Sequence, residues 1–466
     1  MRSKKLAMAV LAVYLGAAVS PASAGQGDSI VRIKPGYNGP SAIAAICNLL
    51  GSTLVVALDV LPGETGGSLF LVRNVPVIGW LLNLTLSTLG LGSIEPDQPV
   101  ALADGNPFRT DQASASVLDE LWRGDPKAYY GTPSFQSYLE QPAGEIVAVR
   151  HTHCGLRATG GGIVAVIDTG VDTQHPTLAP HLVAGYDFTR NVAGGNERVD
   201  VDQASASVRD EVYGVNLATM AGVDQASASV LDDPSRAAYG HGTMVAGVIH
   251  LVAPTARIMP LKAFDASGAG YTSDVIRALH YAAMNNAKVI NMSFSRPTAS
   301  NELKRALDFA ASRGAVLVSA AGNVGTTALR YPAAYPNVIG VASTRNDDTR
   351  SSFSSYGSGL VSLAAPGEAI ITTYPYDTFA AAWGTSFATP FVAGAAALVA
   401  GIQPSATPTQ VTTALSNARY IGSSMGSGRL DLEDAIQAAR NTWPNGVQSP
   451  IPQTCYQGGI DWTDLQ

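Results

Sequence analysis

Apolar positions along this chain fall into short and long runs, and the polar residue beside each run carries the information. Residues 163–167 are five apolar positions rich in β-branched side chains that end at Asp168-Thr169-Gly170, and residues 316–321 form a second short run ending at Gly322-Asn323. Both read as strands of a parallel sheet, because a strand covered on both faces has no polar side to alternate with. Longer runs follow His241 (residues 244–249) and Ser386 (residues 391–400) and read as buried helices, with the imidazole and the hydroxyl near their starts. Pro390 is expected in the first turn of the second helix, where its missing N–H has no intrahelical partner. Strands alternating with helices predict an α/β fold: a doubly wound, mostly parallel sheet with helices on both faces.

Residues 29–103 have a different rhythm. A strand over 29–34, a helix over 40–50, strands over 53–60 and 68–72, a helix over 77–89 and a last strand over 93–102 give the β-α-β-β-α-β order of a small ferredoxin-like α+β unit. The apolar stretch 75–94 contains Asn83, Thr85, Ser87, Thr88 and three glycines, so a buried helix is expected there and not a membrane span. Ahead of this unit, residues 1–24 have a basic start (Arg2, Lys4, Lys5), an apolar core and Ala22-Ser23-Ala24, the layout of a secretory signal with a small-residue cleavage site. The expected organisation is a signal over 1–24, the small unit over 25–104, a linker over 105–131, the main domain over 132–440 and a tail over 441–466.

The chemistry lies in the residues that end or open the main-domain runs. Asp168, His241 and Ser386 supply a carboxylate, an imidazole and a hydroxyl, in that order along the chain. A serine becomes a nucleophile when an imidazole takes its proton, and the imidazole needs a carboxylate to fix its tautomer and stabilise its charged form. Asn323 adds an amide that, with the Ser386 backbone N–H, can donate to the oxyanion of an acyl-transfer intermediate.

These residues sit in the motifs Asp-Thr-Gly-Val-Asp, His-Gly-Thr-x-Val-Ala-Gly, Ala-Ala-Gly-Asn and Gly-Thr-Ser-x-Ala-x-Pro. On them the chain resembles the subtilases, the subtilisin-like serine endopeptidases, over roughly residues 132–440. The Asp…His…Ser order agrees with that family and disagrees with α/β-hydrolases, which run Ser…Asp…His. The resemblance implies a catalytic triad of Asp168, His241 and Ser386 with Asn323 as oxyanion donor. It also implies a substrate-binding strand through Ser293, Phe294 and Ser295 that pairs with extended peptides, and a pocket for the residue before the cut along Ala320, Ala321 and Gly322. The small side chains of that pocket suggest a preference for large uncharged residues. The unit before residue 104 is similar to the subtilase propeptide, with Ile94-Glu95-Pro96-Asp97 resembling its closing motif. That likeness implies a precursor that processes itself and uses its own propeptide as chaperone and inhibitor. Activity is expected to rise with pH as His241 loses its proton.

Several features refine this picture. Met244, Phe387 and Phe391 stand where the family more often has histidine, methionine and histidine. The stretch 248–254 lacks the Asn-rich loop that holds calcium in the subtilisin type, so no metal ligands are assigned, no cofactor is expected, and any calcium site is left unassigned. Asp172, His175 and Pro176 are expected to be turn and surface structure. His151, His153 and Cys154 provide three ligands where structural zinc takes four. Cys47 is expected to be a small buried hydrophobe, while Cys154 and Cys455 are candidates for a disulfide in an exported chain. The heptapeptide Asp-Gln-Ala-Ser-Ala-Ser-Val occurs at 111–117, 202–208 and 224–230 with no fixed period, as duplicated insertions would.

The formal charge is −7, and loss of the three basic residues of the signal takes it to −10. Such an acidic surface argues against nucleic-acid binding. The expected product is a secreted monomer acting on polypeptides. A catalytically dead peptide-binding protein would not be expected to keep all four site residues, and an envelope structural protein would need a low-complexity stalk that the chain lacks.

Overall fold

The computed structural model describes residues 28–34, 43, 47, 53–61, 67–73, 86, 92–102, 126–202, 237–451 and 455. Five short strands come first: β1 (Ser29–Ile33), β2 (Thr53–Ala57), β3 (Leu69–Arg73), β4 (Gly92–Pro96) and β5 (Pro99–Leu102). A hairpin of β6 (Pro126–Tyr129) and β7 (Thr132–Phe135) follows. The central sheet takes β8 (Ile163–Asp168), β9 (Tyr186–Asp187), β10 (Val192–Ala193), β11 (Arg257–Lys262), β13 (Val289–Met292), β15 (Val316–Ala320), β16 (Val338–Thr344) and β17 (Leu363–Pro366). Their spatial order is β10-β9-β11-β8-β13-β15-β16-β17, parallel throughout except for the β9–β10 pair. Among the described residues six helices have eight residues or more: α1 (His241–Val252), α2 (Thr272–Met284), α3 (Asn301–Ser312), α4 (Thr385–Ile402), α5 (Pro408–Leu415) and α6 (Leu432–Thr442).

Strand β8 shows why the short runs read as they do. Val164 and Val166 belong to a buried cluster with residues of α1 and α4, whereas Ala165 and Ile167 belong to a second cluster with residues of α2 and α3. Successive side chains point to opposite faces, and both faces are covered, so every position is apolar. Helix α4 is long and apolar enough to cross a membrane, but 94% of it is buried in the protein, which makes it the core helix. Gly394 allows it to approach α1, since a Cβ there would lie 2.6 Å from Val252 Cβ.

The small sheet has the order β2-β3-β1-β4 and is antiparallel throughout, as in a β-α-β-β-α-β split. Most residues of the two helices expected in it lie outside the described set. Ile43, Cys47 and Leu86 are helical and pack with Val31, Ile33, Phe70 and Val72 on one face. From the other face Ile30, Leu69 and Leu71 join the cluster that holds Ile276, Leu279, Leu303 and Leu307 of α2 and α3. Arg32 and Glu302 form an ion pair at 2.6 Å across this junction.

The strand expected over 93–102 is two strands. Pro96 and Pro99 have no N–H to continue a ladder. After β4 the chain leaves the small sheet, and β5 becomes the middle of a three-stranded antiparallel sheet between β12 (Ala269–Tyr271) and β14 (Phe294–Ser295). At the break Asp97 accepts from Ser273 N at 3.0 Å and Ser273 Oγ at 2.6 Å, while Gln98 O accepts from Thr272 N at 3.0 Å. Helix α2 has no side-chain cap from its own N-cap residue, so Asp97 fills that role from another part of the chain. At α3 the N-cap Ser300 Oγ already accepts from Leu303 N at 3.0 Å, and Glu95 adds to it by accepting from Ser300 Oγ and from Asn301 N.

Cys154 is bonded to Cys455, 301 positions away in sequence. Between α6 and that bond the tail runs along the main domain, with Val447 N donating to Ile402 O and Ser449 N to Arg157 O, both at 2.9 Å. Of the three heptapeptide copies only Asp202 is among the described residues.

Candidate active site

Strand β8 ends at Asp168, and α1 begins at His241. Asp168 Oδ1 accepts from His241 Nδ1 at 2.7 Å and from Thr169 N at 2.7 Å, and both side chains are completely buried. A carboxylate only accepts, so Nδ1 carries the proton and Nε2 is the basic nitrogen. The start of α1 can lie this close to β8 because residue 242 is glycine: a Cβ there would stand 1.9 Å from Gly170 O and 3.2 Å from Asp168 Cβ. The Phe387 ring, with its centroid 5.3 Å from that of His241, packs beside the imidazole.

Ser386 is the second residue of α4. Its hydroxyl donates to Ser293 O at 3.1 Å, and its carbonyl accepts from Ser293 Oγ at 2.9 Å. Pro390 lies inside the helix and not in its first turn, because α4 already starts at Thr385. A proline here leaves the carbonyl four residues back without its helical donor. That carbonyl belongs to Ser386, and Ser293 Oγ takes up the vacant acceptor. Asn323, just beyond β15, receives Thr385 N at 2.9 Å and Thr385 Oγ1 at 2.8 Å on its amide oxygen. With the oxygen fully engaged, the Asn323 NH2 group is turned away from Thr385 and is available as a donor.

The edges of β14 and β12 are both occupied by β5. Phe294 pairs with Leu102 and Ser295 with Ala101 on one edge, and Ala269, Gly270 and Tyr271 pair with Ala101, Val100 and Pro99 on the other. Ser293 lies between β13 and β14, next to Ser386. Ala320 ends β15, Ala321 packs in a small cluster with Ala333, Leu360 and Met425, and Gly322 N donates to Thr385 Oγ1 at 3.2 Å.

The sequence matches the subtilase family over residues 159–443. The chain belongs to the subtilase family. It is 37% identical over 281 residues to thermitase of Thermoactinomyces vulgaris, covering 59% of this chain and 89% of that protein. Subtilisin of Bacillus pumilus is 37% identical over 296 residues (60% and 92%), and subtilisin Savinase of Lederbergia lenta is 36% identical over 292 residues (60% and 92%). This subtilase is therefore a serine-type endopeptidase, a hydrolase that acts on polypeptides. Among its described residues no group of three His, Cys, Asp or Glu side chains is arranged to hold a metal ion.

Behind Asp168 and His241 the subtilase has a second carboxylate, which sequence reading missed. Glu197 is fully buried and accepts from Thr169 Oγ1 at 2.9 Å, Gly240 N at 3.0 Å, Thr243 N at 3.2 Å and Thr243 Oγ1. These donors flank Asp168 on one side and His241 on the other. Burial pushes the Glu197 carboxyl up to about 8, opposed by the threonine hydroxyls and by Lys262. Lys262, level with Asp168 across the β8–β11 pair, is also buried and donates to Thr169 O, Phe264 O and Asp200 Oδ2 at 2.7–2.8 Å. The lysine that ends the apolar run Ile258–Leu261 was a visible signal. Glu197 lies in a loop without periodicity and offered none.

Asp172 and His175 depart from expectation: they are buried, not surface, residues. Asp172 Oδ2 accepts from Tyr376 N at 2.9 Å, and His175 Nε2 bonds Thr378 O at 3.1 Å. Both contacts hold the turn joining β18 (Ile370–Tyr374) and β19 (Thr378–Ala382), a partner distant in sequence. His153 is engaged by Val252 O at 2.8 Å and Cys154 by its disulfide, so the His151-His153-Cys154 cluster is committed to structure.

Proposed function

We propose that this subtilase is a secreted endopeptidase that cuts through an acyl-enzyme at Ser386 and is made as a precursor that processes itself. The observation that carries the catalytic reading is the buried 2.7 Å bond between Asp168 Oδ1 and His241 Nδ1, with the ring of Phe387, the residue after Ser386, centred 5.3 Å from the imidazole. In the reaction the Ser386 hydroxyl exchanges the Ser293 carbonyl for His241 Nε2, which takes its proton as the oxygen attacks the substrate carbonyl. Asp168 stabilises the imidazolium. The Asn323 amide and the Ser386 N–H donate to the oxyanion. The imidazolium then protonates the leaving amine, and water repeats the sequence to release the acid.

Secretion is supported by the leader over residues 1–24. The precursor reading is supported by β5, which fills the substrate edge as an added strand. In its register Ala101 faces Ser295 and Leu102 faces Phe294. Phe294 directly follows Ser293, whose carbonyl receives the Ser386 hydroxyl, so the processing bond proposed is Ala103–Asp104, just beyond β5. The module over 28–102 would then act as chaperone and inhibitor, and the mature enzyme as a monomer.

Two measurements test this. The wild type should label at Ser386 with a fluorophosphonate, and Ser386→Ala should accumulate as an uncut precursor that hydrolyses no casein. Mass spectrometry of a short expression time course should find a first-formed product beginning at Asp104. A first cut elsewhere would remove the register argument, and an unlabelled wild type would remove the acyl-enzyme.

A further inference from the structure

The side chain of the residue before the cut must pass over Gly322, which precedes the oxyanion donor Asn323. We infer that this pocket selects acidic residues, with Arg330 as the specificity-determining group; the inference rests on the endopeptidase reading above.

Gly322 has φ +98°, and a Cβ built on it meets Arg330 Cγ at 3.4 Å, Ser295 Oγ at 3.4 Å and Ser355 Oγ at 3.6 Å. Three segments therefore converge on the space above this glycine, and they bring the aliphatic stem of an arginine and two hydroxyls. Their backbones are tied together. Ser355 N donates to Gly322 O at 2.8 Å, while Arg296 and Tyr331, neighbours of Ser295 and Arg330, exchange both backbone hydrogen bonds at 2.8 and 2.9 Å. Ala321 does not soften this lining, because it packs in its own apolar cluster with Ala333 and Leu360.

Two of the three groups lack partners. Ser355 Oγ is fully buried with no hydrogen-bond partner. The half-buried Arg330 guanidinium has no ion pair or hydrogen bond among the described residues. Such groups are costly when covered by hydrocarbon and favourable when covered by an acceptor. A large apolar side chain would bury Ser355 Oγ and Arg330 without satisfying either. A glutamate or aspartate carboxylate accepts from the guanidinium and the hydroxyls together, in the geometry that arginine favours. The processing bond proposed above presents only the methyl group of Ala103, which neither uses nor opposes the cation. An intramolecular cut proceeds at high effective concentration without help from this pocket.

The test uses the mature secreted enzyme and tetrapeptide p-nitroanilides that differ only in the residue before the cut: Glu, Gln, Phe, Ala or Lys. A charge-assisted bond predicts kcat/KM for Glu about 10- to 100-fold above Gln, a ratio that shrinks with added salt. Arg330→Gln should remove the ratio, and Arg330→Glu should turn the preference toward Lys; fluorophosphonate labelling of each variant confirms that it is folded. A wild type that cuts the Phe peptide best, with a Glu-to-Gln ratio unchanged in Arg330→Gln, would overturn the inference while leaving the endopeptidase intact. A wild type that cuts no peptide and takes no label would instead overturn the endopeptidase reading and this inference with it.

Discussion

Glu197 makes the case for reading a site beyond the atoms that react. One carboxylate receives four donors, two of them backbone amides at the start of the His241 helix, and shares Thr169 with the Asp168 strand end. It is a positioning residue for Asp168 and His241. Glu197→Ala leaves buried donors without an acceptor, at about 1–3 kcal/mol each. Chemical denaturation of the fluorophosphonate-blocked variant should show a loss of at least about 3 kcal/mol. Glu197→Gln keeps two acceptor lone pairs and should recover part of the stability, while kcat falls more than KM rises because the imidazole is less well aimed. A full recovery of kcat in Glu197→Gln would reduce the residue to a packing role.

At the scale of elements, helix α2 takes its cap from Asp97 of a distant segment, and Glu95 supplements the Ser300 cap of α3. Asp97 and Glu95 receive hydrogen bonds at their first turns, where backbone N–H groups have no intrahelical partner. Burial raises the Asp97 carboxyl to about 7, and burial also raises the adjacent Asp274 to about 7. On undocking Asp97 returns toward its ordinary value near 4, so the docked state holds a proton that the undocked state has lost above that pH. Its contribution to docking is full below about pH 4 and declines as pH rises through 7. Gel filtration of the processed complex should show the 28–102 module released more readily at pH 8 than at pH 5, and Asp97→Asn should flatten that dependence. Release that strengthens on acidification would contradict the assignment. Element-level reading from sequence succeeded where both faces of a strand are buried, as in β8. It failed at residues 93–102, where two prolines divided one expected strand between two sheets.

For the whole molecule, buried histidines weaken the fold in acid, while the raised Glu197 carboxyl acts in the opposite direction. His153 is buried against the Tyr129 and Tyr130 rings and bonded to Val252 O, and burial lowers it to about 4. His250, stacked on His181 with ring centroids 4.4 Å apart, is pushed well below its ordinary value by burial and then by neighbouring histidines. Burial also lowers His175 and His181. The unfolded chain binds protons on these rings below about pH 6.5 while the folded one refuses them, so stability falls with acidification. His153 alone contributes a drop of about 3 kcal/mol between pH 7 and 4. Denaturation midpoints of blocked mature enzyme and of His153→Gln should be compared at pH 7, 5.5 and 4.5, the variant gaining stability relative to wild type as pH falls. An unchanged difference between the two would assign the acid response elsewhere.

The nature of the protein was legible from the chain because its chemistry is attached to local structure. Asp168 ends a strand, His241 and Ser386 open helices, and Asn323 follows a strand, so the ends of apolar runs, read with the subtilase motifs around them, marked their places. Cys154 and Cys455 were visible as candidates, yet sequence had no means of measuring the distance between them. Tertiary structure decided whatever depends on segments far apart: the disulfide, the burial of Asp172 and His175 under the β18–β19 turn, the carboxylate of Glu197 behind the site, and the meeting of Arg330, Ser295 and Ser355 over Gly322. The physical reason is range. Propensity and periodicity act over a turn or a strand, whereas desolvation and hydrogen-bond partnership act on whatever the fold brings within a few ångströms, and one sequence does not write those neighbours down.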